Sequence, residues 1–128
     1  MKAIDNRQTG AMLIEVLVSI LIFSFGLLGL VGLQAVALQN SVSAQDRTIA
    51  ANVANEMISQ MWLRNTSDPA NLTTEIAAWQ TRASSKLPGA TGTVVENAGI
   101  TTVAIQWHPT SRRDAENDSK YETQVVID

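Results

Sequence analysis

Residues 11–33 read AMLIEVLVSILIFSFGLLGLVGL, an apolar run of 23 residues whose single charge is Glu15. No other feature constrains the chain as tightly. Coiled at 1.5 Å per residue, the run makes a helix of about 34 Å, which matches a hydrocarbon core of about 30 Å. A buried helix of a soluble core is a competing reading, and it fails on the length of the run and on the near absence of polar positions around it. Lys2 and Arg7 precede it, diluted by Asp5, and the next charges after it are Asp46 and Arg47. The positive-inside rule then predicts residues 1–10 in the cytoplasm and the chain beyond the run across the membrane.

A cleaved secretory signal is the competing explanation, and Ala35-Val36-Ala37 offers an A-x-A site after the run. The apolar region of such a signal spans about 7–15 residues, and the stretch from Val16 to Leu33 already exceeds that. Glu15 also serves no purpose in a signal peptide. An acidic residue in a membrane helix costs about 2.5–3.5 kcal/mol at the bilayer centre and less near the interface. Glu15 is therefore a candidate functional residue in need of a partner. While residues 1–10 remain attached, it lies close enough to the cytoplasmic headgroups to reach water.

Beyond the run the helix is expected to continue. Leu38, Val42, Ile49, Val53, Met57 and Met61 recur in steps of four and seven, with Gln45, Asp46, Arg47, Asn52 and Glu56 between them. That spacing predicts one apolar stripe covering a core. Asp68-Pro69 is expected to end the helix, because the residue before proline is pushed out of the α region. A second helix follows, capped by Asp68 or Asn71 with Pro69 in its first turn. It sets Ile76, Trp79, Ala83 and Leu87 on one side and stops at Pro88-Gly89.

The period then changes from helix to strand. Residues 93–95, 102–107 and 121–127 have β composition, with Val103, Ile105 and Trp107 alternating, and Tyr121, Thr123, Val125 and Ile127 alternating after them. A polar loop is expected over 108–120. Three strands on a long helix make a small α+β head.

The chain has no cysteine, so disulfides and thiolate metal sites are excluded. His108 is the only histidine, which excludes histidine-pair metal sites. No phosphate-binding glycine loop is present, since Gly26, Gly29 and Gly32 fall inside the apolar run. No catalytic residues and no cofactor are expected. Nucleic acid is not an expected partner either. The net charge is −3, and the one adjacent basic pair, Arg112-Arg113, is followed by Asp114, Glu116 and Asp118. A phosphate-tracking surface needs several clustered cations.

The segment Gly10-Ala11-Met12-Leu13-Ile14-Glu15-Val16-Leu17-Val18 resembles the class III signal of type IV prepilins. That signal is a short polar basic leader ending in Gly, followed by an apolar helix with Glu at its fifth residue. The resemblance implies that a prepilin peptidase cuts between Gly10 and Ala11 and N-methylates Ala11, where family members usually carry Phe. It also implies that Glu15 of an incoming subunit meets the N-terminal amine of its neighbour. Gly26-Leu27-Leu28-Gly29-Leu30-Val31-Gly32-Leu33-Gln34, together with Ala50-Ala51-Asn52-Val53-Ala54-Asn55-Glu56-Met57 and Arg64-Asn65, is similar to minor pilins of the type IV pilus modification protein PilV family.

The fold this implies is pilin-like α+β, a long N-terminal helix against a small antiparallel head. Its parts are a leader (1–10), a membrane or filament half of the helix (11–33), a periplasmic half (34–66) and a head (67–128). The implied partners are the prepilin peptidase, other minor and major pilins, the inner-membrane assembly platform and the lipid bilayer. The implied location is the inner membrane and then the filament, near its tip. A minor pseudopilin of type II secretion shares the same leader and helix, and an uncleaved bitopic protein with a periplasmic binding head is the alternative from another class. Gly26, Gly29 and Gly32 are expected to serve either close helix packing or loosening of the helix inside a filament.

Overall fold

The computed structural model describes residues 6–110 and 118–127, with side chains from Gly10 onward. Lys2 and Asp5 of the leader, and Arg112-Arg113, Asp114 and Glu116, lie outside the described residues, as does the side chain of Arg7. Helix α1 spans Asn6–Arg64, η1 is a 3-10 turn at Pro69–Asn71, and α2 spans Thr73–Lys86. Strands β1 (Thr91–Asn97), β2 (Ile100–Trp107) and β3 (Ser119–Val125) follow. The chain divides into two units, one up to Gln39 and one from Asn40 on. This is the expected α+β arrangement: a long apolar N-terminal helix, a short second helix and a small antiparallel sheet.

In the second unit, α1 presents Ala50, Val53, Ala54, Met57 and Met61 to the core, all fully buried. The small Ala50 and Ala54 let other elements approach the helix backbone, and the two methionines fill the irregular space beyond them. Leu38 and Val42, expected on the same stripe, are exposed, so the covered face begins only at Ile49 and Ala50.

The helix stops at Arg64, short of Asp68. Asn65 takes the left-handed conformation at φ 51°, which short polar side chains tolerate better than others. Its N–H bonds to Trp62 O at 3.2 Å, and the Thr66 N–H to Met61 O at 3.1 Å. These two bonds form a Schellman closure that satisfies the last carbonyls. The proline therefore follows a helix that has already ended.

Asp68 does act as a cap, but of the 3-10 turn. Its Oδ1 accepts from Ala70 N at 2.9 Å, with Pro69 in the first position. Helix α2 starts instead after Leu72, whose side chain is fully buried and makes no capping bond. Trp79 and Ala83 are buried on α2, Ile76 is half-buried, and Leu87 is buried just past the helix end. The Trp79 indole N–H donates to Val53 O on α1 at 2.7 Å, which locks the crossing of the two helices. Glu56 on α1 faces Arg82 at 2.6 Å and Lys86 at 3.7 Å on α2. Arg64 also pairs with Glu75. Pairs this exposed add little to stability.

The sheet runs in the order β1-β2-β3, antiparallel throughout. All three strands are displaced or extended relative to the sequence expectation. β1 and β2 lengthen toward each other until only Ala98-Gly99 separates them, with Asn97 paired to Ile100. Both turn residues have positive φ, 53° and 81°, as in a type I′ hairpin. β3 begins at Ser119, two residues before the expected start. Facing α1 and α2 are Gly92, Val94, Thr101, Val103, Ile105, Trp107, Tyr121 and Val125. The opposite face carries Thr93, Val95, Thr102, Gln106, Lys120, Glu122 and Gln124. Thr101 is buried, and its hydroxyl donates to Ser67 O at 3.1 Å, tying β2 to the loop after α1.

Candidate functional site

The described part of the first unit is the stretch of α1 up to Gln39. Every residue from Gly10 to Val42 is exposed, and the large apolar side chains of the run range from 47% exposed at Leu27 to 70% at Leu33. None of the apolar window is buried inside the protein. At about 25 cal/mol per Å² of apolar surface, a sheath of leucine, isoleucine, valine and phenylalanine side chains is strongly unfavourable in water. Lipid or another apolar surface suits it. The helix is long and apolar enough to cross a membrane.

The expected site residues all lie on this helix. Gly10 and Ala11 are helical, and a Cβ on Gly10 would meet nothing within 4 Å. Ala11 and Glu15 are four residues apart on one continuous helix, so they share a face with about 6 Å of rise between them. The Glu15 carboxylate is exposed and makes no ion pair with another described residue. The helix therefore places the backbone nitrogen of Ala11 and the Glu15 carboxylate on the same side, within one turn.

Gly26, Gly29 and Gly32 lie in unbroken helix, and a Cβ built on any of them would meet nothing within 4 Å. No contact among the described residues calls for glycine at these positions. Just before them the Ser24 hydroxyl donates to Ile20 O at 2.7 Å, satisfying itself within the helix.

Two polar features stand out among the described residues of the second unit. His108 Nδ1 and Asp118 Oδ1 are 3.1 Å apart, and Gln106 Nε2 donates to Asp118 Oδ2 at 2.8 Å. The His108 bond, then the Gln106 bond, holds the Asp118 carboxyl below its ordinary value of 3.8. This exposed cluster joins the end of β2 to the start of β3. The second feature was not expected from the sequence. A cavity of about 40 Å³ opens between Ser43, Asp46 and Arg47 of α1 and Trp107, Pro109 and Ser119. Among the described residues, no three His, Asp or Glu side chains are grouped to hold a metal ion.

No protein-family model matches the chain, and comparison with curated proteins and with solved structures finds no match.

Proposed function

We propose that the chain is a minor type IV pilin, cut behind Gly10 by a prepilin peptidase, methylated at Ala11, and incorporated into a pilus or priming its assembly. The observation that carries the reading is Glu15. It is the one charged residue in the apolar stretch 11–33 of α1, exposed and one turn from the backbone nitrogen that cleavage would convert to an amine. In a low-dielectric setting an unpaired carboxylate is strongly unfavourable, and a cation at the right spacing relieves the penalty. Removal of residues 1–10 takes away Lys2, Asp5 and Arg7 and supplies a replacement charge. The amine of a neighbouring subunit can then pair with Glu15 and set the axial register between subunits.

The division of the chain supports the same reading. An uncovered apolar helix suits first the inner membrane and then the core of a filament, without rebuilding. The second unit, whose core includes Ala50, Val53, Met57 and Met61 of α1, would stay folded in both settings. Glycines at 26, 29 and 32 that no contact among the described residues requires fit a helix whose surroundings change.

N-terminal sequencing of the membrane-bound and filament forms tests the proposal. A chain beginning at Ala11, carrying a methylated amine, is expected. A mature chain that begins at Met1 would identify an uncut membrane anchor, and one that begins at Leu38 would identify a secreted protein; either result removes the pilin reading.

A further inference from the structure

Among the described residues of the second unit, three buried side-chain polar atoms have no hydrogen-bond partner, and two of them are chemically complementary. Asp46 Oδ2 can only accept and Trp107 Nε1 can only donate. Both residues line the cavity of about 40 Å³ described above. Trp107 is 1% exposed, so its N–H has no access to bulk water. Arg82 Nε is likewise without a hydrogen bond, but Glu56 stands 2.6 Å away and neutralises it. Among the described residues, the Asp46 and Trp107 atoms have no such compensation.

The cavity discriminates among occupants. A metal cation would meet one carboxylate, the Trp107 N–H donor and the positive charge of Arg47, which is a poor donor set. An anion would meet the Asp46 carboxylate. An organic ligand is too large for the space. A water molecule needs about 10–15 Å³ of such space and two to four polar partners, and Ser43 and Ser119 add hydroxyls to the lining.

We infer that the head holds an ordered water in this cavity. The water accepts from Trp107 Nε1 and donates to Asp46 Oδ2. The bridge has a structural consequence. Asp46 lies one turn before Ile49 and Ala50, where the apolar core begins to cover α1. The water therefore fastens helix residues ahead of the core to the place where β2 ends and β3 begins.

The full-length chain in detergent micelles, labelled with ¹⁵N at its tryptophans, provides the test. Magnetisation transfer between water and the Trp107 indole N–H is expected to report a long-lived bound water, and Asp46→Leu is expected to abolish it. Asp46→Asn, which keeps an acceptor, retains the signal. In a thermodynamic cycle, Asp46→Leu and Trp107→Phe should each raise the unfolding constant of the head about tenfold, within the cost of an unsatisfied buried group. The double variant should be little worse than either single one. Absence of a bound-water signal in the wild-type chain overturns the inference, as does a signal that survives Asp46→Leu or a strictly additive cycle. A crystal structure with Oδ2 bonded directly to Nε1, or with another side chain in the cavity, also overturns it.

Discussion

A Cβ on Gly92 would clash with the ring carbons Cζ3 and Cη2 of Trp79. The six-membered ring of the indole packs against β1 at Gly92 while its N–H donates to Val53 O of α1, so one side chain joins α1, α2 and the sheet. Gln80 reinforces the junction by donating from Nε2 to Gly92 O at 2.7 Å. Trp79 is fully buried and cannot move aside without opening the core. Gly92→Ala should therefore destabilise the head by about 1–3 kcal/mol, the cost of overpacking a close-packed site. Chemical denaturation followed by tryptophan fluorescence measures it, and a loss below 0.5 kcal/mol, on the order of a neutral surface change, would show that the contact is slack.

The β1–β2 hairpin contains a local conflict that a substitution can relieve. Ala98 holds φ 53° in the two-residue turn, a conformation that costs an L side chain about 1–2 kcal/mol. Asparagine tolerates it, and Asn-Gly is the preferred pair in type I′ turns. Ala98→Asn is expected to stabilise the head by about 0.5–1 kcal/mol, and Ala98→Val to destabilise it. Melting temperatures of the two variants should move in opposite directions from wild type.

Much of the head was legible in the sequence. Alternation at Val103, Ile105 and Trp107 identified the buried face of β2, and the spacing of Val53, Met57 and Met61 identified the buried face of α1. Leu38 and Val42 continue the same spacing yet lie outside the core. Periodicity marks which side of a helix is apolar, not what covers it. The helix end was misplaced because a proline constrains only the residue before it, whereas Asn65 closes the helix four residues ahead of Pro69 by a left-handed turn. The Asp46–Trp107 cavity was not legible, since a lone aspartate between polar neighbours on a helix has the same signature as a solvated one. Glu15 stood out for the opposite reason: its neighbours are all apolar.

If Glu15 serves assembly, its loss should spare every earlier step. Glu15→Ala removes a desolvation cost, so membrane insertion should be unchanged or slightly better. Cleavage between Gly10 and Ala11 should persist, and the head, whose core does not include Glu15, should keep its stability. Filament entry or priming should fail. Piliation assayed in a strain that lacks the wild-type copy decides the matter, with immunoblots for the cut form as the control. Normal piliation would show that the proposed amine–carboxylate contact does not exist.

Gly26, Gly29 and Gly32 set the last prediction. Each glycine weakens a helix by roughly 1 kcal/mol relative to alanine, and these three fall within seven residues. In a single chain the helix nevertheless runs unbroken through them, with open space where each Cβ would be. Two uses fit that geometry. Small residues let helices of other subunits approach closely, or the weak stretch loosens when the subunit leaves lipid. Loosening inside a bilayer is disfavoured, because lipid cannot satisfy freed backbone groups, so the helix should remain intact until it enters a filament. The two uses separate by substitution. Replacing all three glycines with alanine stiffens the segment but adds little bulk, whereas Gly29→Leu adds bulk at one position. Close packing predicts that the triple alanine variant assembles and that Gly29→Leu does not. Loosening predicts that the triple alanine variant itself assembles poorly, although it is inserted and cleaved normally. A filament of the triple variant that forms at wild-type levels, with continuous helix through residues 24–34, would reject loosening and assign the glycines to packing between subunits.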